Sequence, residues 1–214
     1  MVSIPSGEIS LRDDRKKTKW ITQVQSFELS KFLITKELYC QVMSIPQPLP
    51  CEARKPVENV SWFDAVLFCN TLSILSGLES CYLVNIDSER VELISNAKGY
   101  RLPTDAEWEY ACRAGSRAVQ YGNIDDIAWF EGNSQDTTHS VGLKVPNSFG
   151  LFDMLGNVWE WCWDIYDPEV YGAYRVFRGG GWCDSSRGCL ASNRRRSHPT
   201  YKVDDLGFRI ARSC

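Results

Sequence analysis

The stretch RGGGWCDSSRGCLASNRRRSHPTYKVDDLGFRI, residues 178–210, brackets a polar segment between two glycine-and-aromatic pieces. Inside it stand Cys183, Cys189, His198 and the run Arg194, Arg195, Arg196. Thiolates are nucleophiles and soft metal ligands, and arginines are fixed cations with five donors, so the segment could react or could hold something. The other seven cysteines stand singly, at 40, 51, 69, 81, 112, 162 and 214. There is no Cys-x-x-Cys, and His139 and His198 are the only histidines, which argues against a zinc ribbon or a facial iron triad. An odd count leaves at least one thiol unpaired in a monomer, and buried free thiols are the expected state of most. A second group lies in DMLGNVWE, where Asp153 and Glu160 flank a Gly-Asn turn. A hard cation such as Ca²⁺ takes carboxylate and backbone carbonyl oxygens together, and a turn can aim both at one point.

Several elements must position these groups. WITQVQSFELSKFLI (20–34) is β-branched and aromatic and reads as strand, passing into a short helix TKELYCQVM (35–43). CEARKPVENV (51–60) reads as loop. SWFDAVLFCNTLSILSG reads as a helix with Ser61 as N-cap, Asp64 three residues on and Gly77 past its end. TDAEWEYACRAG reads as a second, with Thr104 and Glu107 as capping box, Pro103 before it and Gly115 as stop. Its spacing puts Trp108, Ala111 and Cys112 on one inward face, with Glu107 and Glu109 turned outward. Between the helices, residues 81–103 alternate like a hairpin feeding a strand. GLFDMLGNVWEWCWD (150–164) reads as a Gly-Asn turn opening into an aromatic strand. RVFRGGGW and LGFRIAR read as two further strands, with the bracketed segment as the loop between them. The expectation is one loop-rich α+β domain spanning 1–214, with a small antiparallel sheet and two main helices.

RLPTDAEWEYACRAG, FGLFDMLGNVWEW, RGGGW and LGFR, in that order, resemble the signature of the formylglycine-generating enzyme, or sulfatase-modifying factor, family. KPVENVSWFDAVLFCN is similar to its first helix and MVSIPSGEISL to its opening strand. The resemblance covers essentially the whole chain and implies a variant of the C-type lectin fold. It also implies several unlike activities: copper-dependent oxidation of a substrate cysteine, non-haem-iron sulfoxide synthesis, and ligand binding alone. Function therefore has to be argued site by site. The iron branch takes its histidines from an additional N-terminal domain that these 214 residues do not contain.

In the oxidising members two cysteines just after the RGGS-aromatic strand hold copper. Cys183 and Cys189 would be their counterparts here, but Cys183 falls one position early, Gly181 replaces the serine and the loop is shorter. The better match for Cys189 is a later family cysteine that pairs with the one in the EWEYxC helix, which places it against Cys112 as a disulfide or as packed thiols. By the same resemblance a structural calcium would take the Asp153 and Glu160 side chains and the carbonyls of Gly156 and Val158.

From Cys183 to Tyr201 there is no Lys, Glu, Gln, Met or Trp. The residues present are those that codons ending in C or T can specify. This resembles the variable proteins of diversity-generating retroelements, which share the fold and diversify the stretch before LGFR. Asp184, Ser185, Arg187, Asn193, Arg195, Ser197, His198, Tyr201 and Val203 fall on positions that vary there, and Cys189, Arg194, Arg196 and Pro199 on constant ones. Rigid aromatics mixed with adaptable polar groups suit recognition, as in antibody loops. The expected function is thus binding of a protein or peptide through 183–205 without copper-oxidase activity; the alternative is a metal-dependent oxidase acting on a cysteine thiol through Cys183 and Cys189.

With 27 carboxylates against 24 Lys and Arg, net charge −3, composition gives no reason to expect nucleic acid as partner. No apolar run reaches membrane-spanning length. A monomer is expected, cytoplasmic as the N-terminus reads, or at the surface if a leader has been removed.

Overall fold

The computed structural model describes residues 1–13, 15–85 and 89–214. In chain order the N-terminal strands are β1 (Val2–Ile4), β2 (Gly7–Asp13), β3 (Thr18–Val24) and β4 (Phe27–Leu29). Helices α1 (Lys36–Met43) and α2 (Trp62–Leu75) follow, then β5 (Tyr82–Asn85), β6 (Arg90–Leu93) and β7 (Tyr100–Arg101). Helix α3 (Asp105–Arg113) and the one-turn α4 (Ile124–Ile127) lead through a long loop to β8 (Trp159–Ile165). The one-turn α5 (Pro168–Tyr171), β9 (Arg175–Arg178), β10 (Arg194–Ser197), β11 (Leu206–Gly207) and β12 (Ala211–Ser213) complete the chain. β5 and β6 pair as the alternation within 81–103 predicts, and residues 86–88 lie outside the described residues.

Both main helices start where their caps say. Ser61 accepts from the Asp64 backbone while the Asp64 carboxylate accepts from Ser61, and Thr104 and Glu107 do the same at α3. Gly77 and Gly115 sit past the ends at φ +70 and +86, where side chains are strained.

The strands form two four-stranded sheets, β1-β4-β12-β7 and β10-β9-β8-β11, with β2-β3 and β5-β6 as separate hairpins. The small antiparallel sheets and two main helices are those expected, and β11 adds one parallel pairing, to β8. The first sheet ties the two ends of the chain together, because β12 pairs with β4 at Ala211↔Leu29. The second carries the segment of interest, and each of its faces packs on a core. Trp159, Trp161 and Phe177 face one core with Trp62 and Phe68 of α2. Cys162 and Val176 face the other, with Trp108, Ala111 and Cys112 of α3. Indoles stitch the layers: Trp62 Nε1 donates to the Cys162 carbonyl at 2.9 Å and Trp161 Nε1 to that of Val60 at 3.0 Å. Among the described residues no helix is long and apolar enough to cross a membrane.

Two expectations change. The RRRS stretch is not loop: it is β10, paired with β9 at Arg194↔Arg178 and Arg196↔Val176. Glu109 is not turned outward but is 3% exposed, because it pairs with Arg178 arriving from β9 across the core.

Candidate functional site

Arg178, the first residue of RGGGW, is fully buried and organises the segment. Its guanidinium pairs with Asp105 and Glu109 of α3, and Nη1 donates to the carbonyls of Ala191 at 3.0 Å and Asn193 at 2.8 Å. Two acids and two carbonyls around one buried cation meet the condition under which a buried charge is tolerated. Arg194 reaches Asp105 from the neighbouring strand, so Asp105 bridges β9 and β10.

Residues outside the loop, or at its base, hold its carbonyls. Gln120 Nε2 donates to Ser186 O at 3.3 Å and Cys189 O at 3.1 Å. Asn193 Nδ2 donates to Arg187 O at 2.7 Å and Gly188 O at 2.8 Å. Gly180, at φ +88, leaves room for Cys189: a Cβ there would come 2.7 Å from its Sγ.

The residues expected to meet a ligand divide. Ser185, Arg187, Arg195, His198 and Tyr201 are exposed, whereas Ser197 and Val203 are half-buried. Asn193 is used for loop closure, and Asp184 is scaffold too. The Asp184 carboxylate accepts from Trp159 Nε1 at 2.6 Å, from the Gly181 amide at 2.9 Å and from Arg195 Nη2 at 2.9 Å, with its side chain 11% exposed. Arg195 lies over the Trp159 ring at 4.6 Å. On the opposite face Arg194 and Arg196 stack over Tyr166, and Arg196 also over Tyr171 at 3.8 Å. Sequence reasoning missed this tyrosine layer: YDPEVYGAY offers three tyrosines, but their partners lie over twenty residues on.

The cysteines take two environments. Cys183 is exposed, and its thiol donates to Asp205 Oδ2 at 3.3 Å. Desolvation first, then the carboxylates of Asp205 and Asp184, pushes it up to about 12. Cys189 is likewise pushed up to about 12, by burial and then by Asp184. Cys112 and Cys189 share one apolar cluster as free thiols, and no disulfide joins them.

At the Gly-Asn turn Gly156 and Asn157 both adopt positive φ, 75 and 65. Asp153 is 1% exposed; Oδ2 accepts from the Gly142 amide at 2.8 Å and Oδ1 has no partner. Glu160, fully buried, accepts from Trp108 Nε1 at 2.8 Å and from Arg209 at 2.6 and 2.9 Å. Burial raises both carboxyls, and each senses Arg209. Asp153 keeps an open oxygen close to Glu160, which is shared with Arg209, and two carboxylates with an unpartnered oxygen are a donor set that suits a hard cation.

A family profile for the sulfatase-modifying factor enzyme 1-like domain matches residues 1–214. Among solved structures, Treponema denticola variable protein 1 superposes with a TM-score of 0.88 and 32% identity, over 100% of this chain and 95% of that one. Chaperone protein LppX of Paenibacillus barcinonensis is 29% identical over 251 residues, covering 100% of this chain and 89% of LppX. The formylglycine-generating enzyme of Streptomyces coelicolor is 34% identical over 172 residues, covering 65% of this chain and 55% of the enzyme. The chain belongs to the sulfatase-modifying factor family and has its formylglycine-generating-enzyme-like, C-type-lectin-like fold.

Proposed function

We propose that this family member is a binding module whose 183–205 segment recognises a protein or peptide ligand, and that it has no copper-oxidase activity. The observation that carries this reading is the acidic setting of Cys183. A copper-binding or nucleophilic cysteine needs its thiolate, which cationic or metal surroundings favour. Here desolvation, then Asp205, which accepts from the thiol at 3.3 Å, and Asp184 favour the protonated form. The same segment presents Arg187, Arg195, His198 and Tyr201 outward on a braced backbone. Pre-organised display of this kind lowers the entropy cost of binding. Likeness to a variable protein, with the skewed composition of 183–201, supports diversification of these positions by a retroelement. A structural calcium held by Asp153, Glu160 and the carbonyls of Gly156 and Val158 would stabilise the turn beneath β8.

One observation favours the oxidase reading: Cys183 and Cys189 are both free thiols in the same loop. A Cu(I) titration of the reduced protein, read by thiolate-to-copper charge-transfer absorption, separates the two. The binding module gives no tight one-to-one complex. Tight binding that Cys183→Ser abolishes would establish the oxidase instead.

A further inference from the structure

Strand β10 ends its sheet, in the order β10-β9-β8-β11, so only one of its edges is paired. In an antiparallel pair alternate residues direct their N–H and C=O groups away from the partner strand. Half the backbone groups of Arg194–Ser197 therefore face outward, in the middle of the proposed recognition segment. Such an edge is a template for another strand unless something guards it.

The side chains on this edge decide what can pair with it. A second copy would bring arginines against arginines, and like charges directly opposite are unfavourable. Arg194 is satisfied by Asp105, and Arg195 by Asp184. Arg196 differs. Its Nε is buried with no acceptor, it has no carboxylate partner among the described residues, and only the Tyr166 and Tyr171 rings flank it. Exposed Arg187 adds cationic character nearby. The edge repels its own kind and lacks one acidic group.

We infer that the free edge of β10 takes an extended acidic segment of the protein ligand as an added strand, with a carboxylate set against Arg196. The inference rests on the binding reading above and specifies its mode. Main-chain bonds to β10 supply affinity that does not depend on side chains, while the outward side chains discriminate among partners.

The test uses the full chain, ¹⁵N-labelled, and three blocked octapeptides: alternating Glu-Thr, the same peptide N-methylated on one edge, and alternating Lys-Thr. The Glu-Thr peptide shifts the amides of 194–197; N-methylation or Arg196→Met weakens it by about tenfold, and the Lys-Thr peptide leaves the spectrum unchanged. Equal affinity of the N-methylated peptide, or no shift at 194–197 up to about 5 mM, overturns strand addition. If ligand capture still depends on Arg195 and Tyr201 in that case, recognition by side chains stands and only the mode is wrong. If capture is indifferent to both residues, the binding reading itself falls.

Discussion

Asp184 stands where a contact residue was expected, and replacing it separates scaffold from contact. Its carboxylate accepts three donors, from Trp159, Gly181 and Arg195. The Arg195 arm is half-exposed and contributes at most about 1 kcal/mol. Asp184→Ala also strands the Trp159 indole N–H and the Gly181 amide, each costing about 1–3 kcal/mol. The three effects share one residue and do not simply add, so the expected loss is about 3–4 kcal/mol. For a domain of this size that lowers Tm by roughly 6–16 °C. Asp184→Asn keeps one acceptor oxygen and should lose about half as much. Urea unfolding followed by tryptophan fluorescence gives the free energy, and scanning calorimetry gives Tm. A side chain that only touches ligand would change stability by about 0.5 kcal/mol or less. A loss below about 1 kcal/mol for Asp184→Ala would refute the scaffold assignment and return Asp184 to the contact set.

Arg195→Ala should cost under about 1 kcal/mol, whereas Arg194→Ala, which leaves buried Asp105 with Arg178 as its remaining arginine, should cost about 1–3 kcal/mol in the same urea assay. Calcium at about a hundredfold excess over its Kd should stabilise the wild type by about 2.7 kcal/mol and leave Asp153→Asn unmoved; equal Tm with calcium or chelator would remove the cation from the turn. Partial desolvation first, then the neighbouring Asp105 carboxylate, raises half-buried Asp164 to about 6. A carboxyl raised in the fold stabilises it while protonated, and that contribution is lost as pH rises through the folded value. Wild type should therefore lose up to about 3 kcal/mol relative to Asp164→Asn between pH 4 and 7, and parallel pH–stability curves would contradict this. If Tyr201 is an anchor, Tyr201→Ala should weaken ligand by about 1–3 kcal/mol at unchanged Tm; undiminished affinity would exclude that role.

What could be read from the chain followed the range of the interactions. Ser61 with Asp64 and Thr104 with Glu107 are local pairs, and both helices begin there. The inward face of α3 follows from its period, and Trp108, Ala111 and Cys112 are fully buried. Glu109 failed the same logic because periodicity assigns a lone acid to solvent, while Arg178 meets it inside the core. Strand β10 was illegible for a related reason: RRRS has no apolar alternation, and its pairing is fixed by β9, Asp105 and a tyrosine layer. Asp184 became scaffold through an indole on β8, a relation that nothing within its own segment announces.

The way the segment is tied down has a consequence for inheritance. Arg178, Gln120 and Asn193 grip the carbonyl oxygens of residues 186–189, 191 and 193. Every amino acid supplies that oxygen, proline included. A genetic change at Ser186 or Arg187 therefore alters what the surface shows while the clamp beneath it finds the same atoms. Under the proposed binding reading, new specificities can be sampled at those two positions without loosening the loop, whereas Asp184 and Asn193, whose side chains brace it, have to stay.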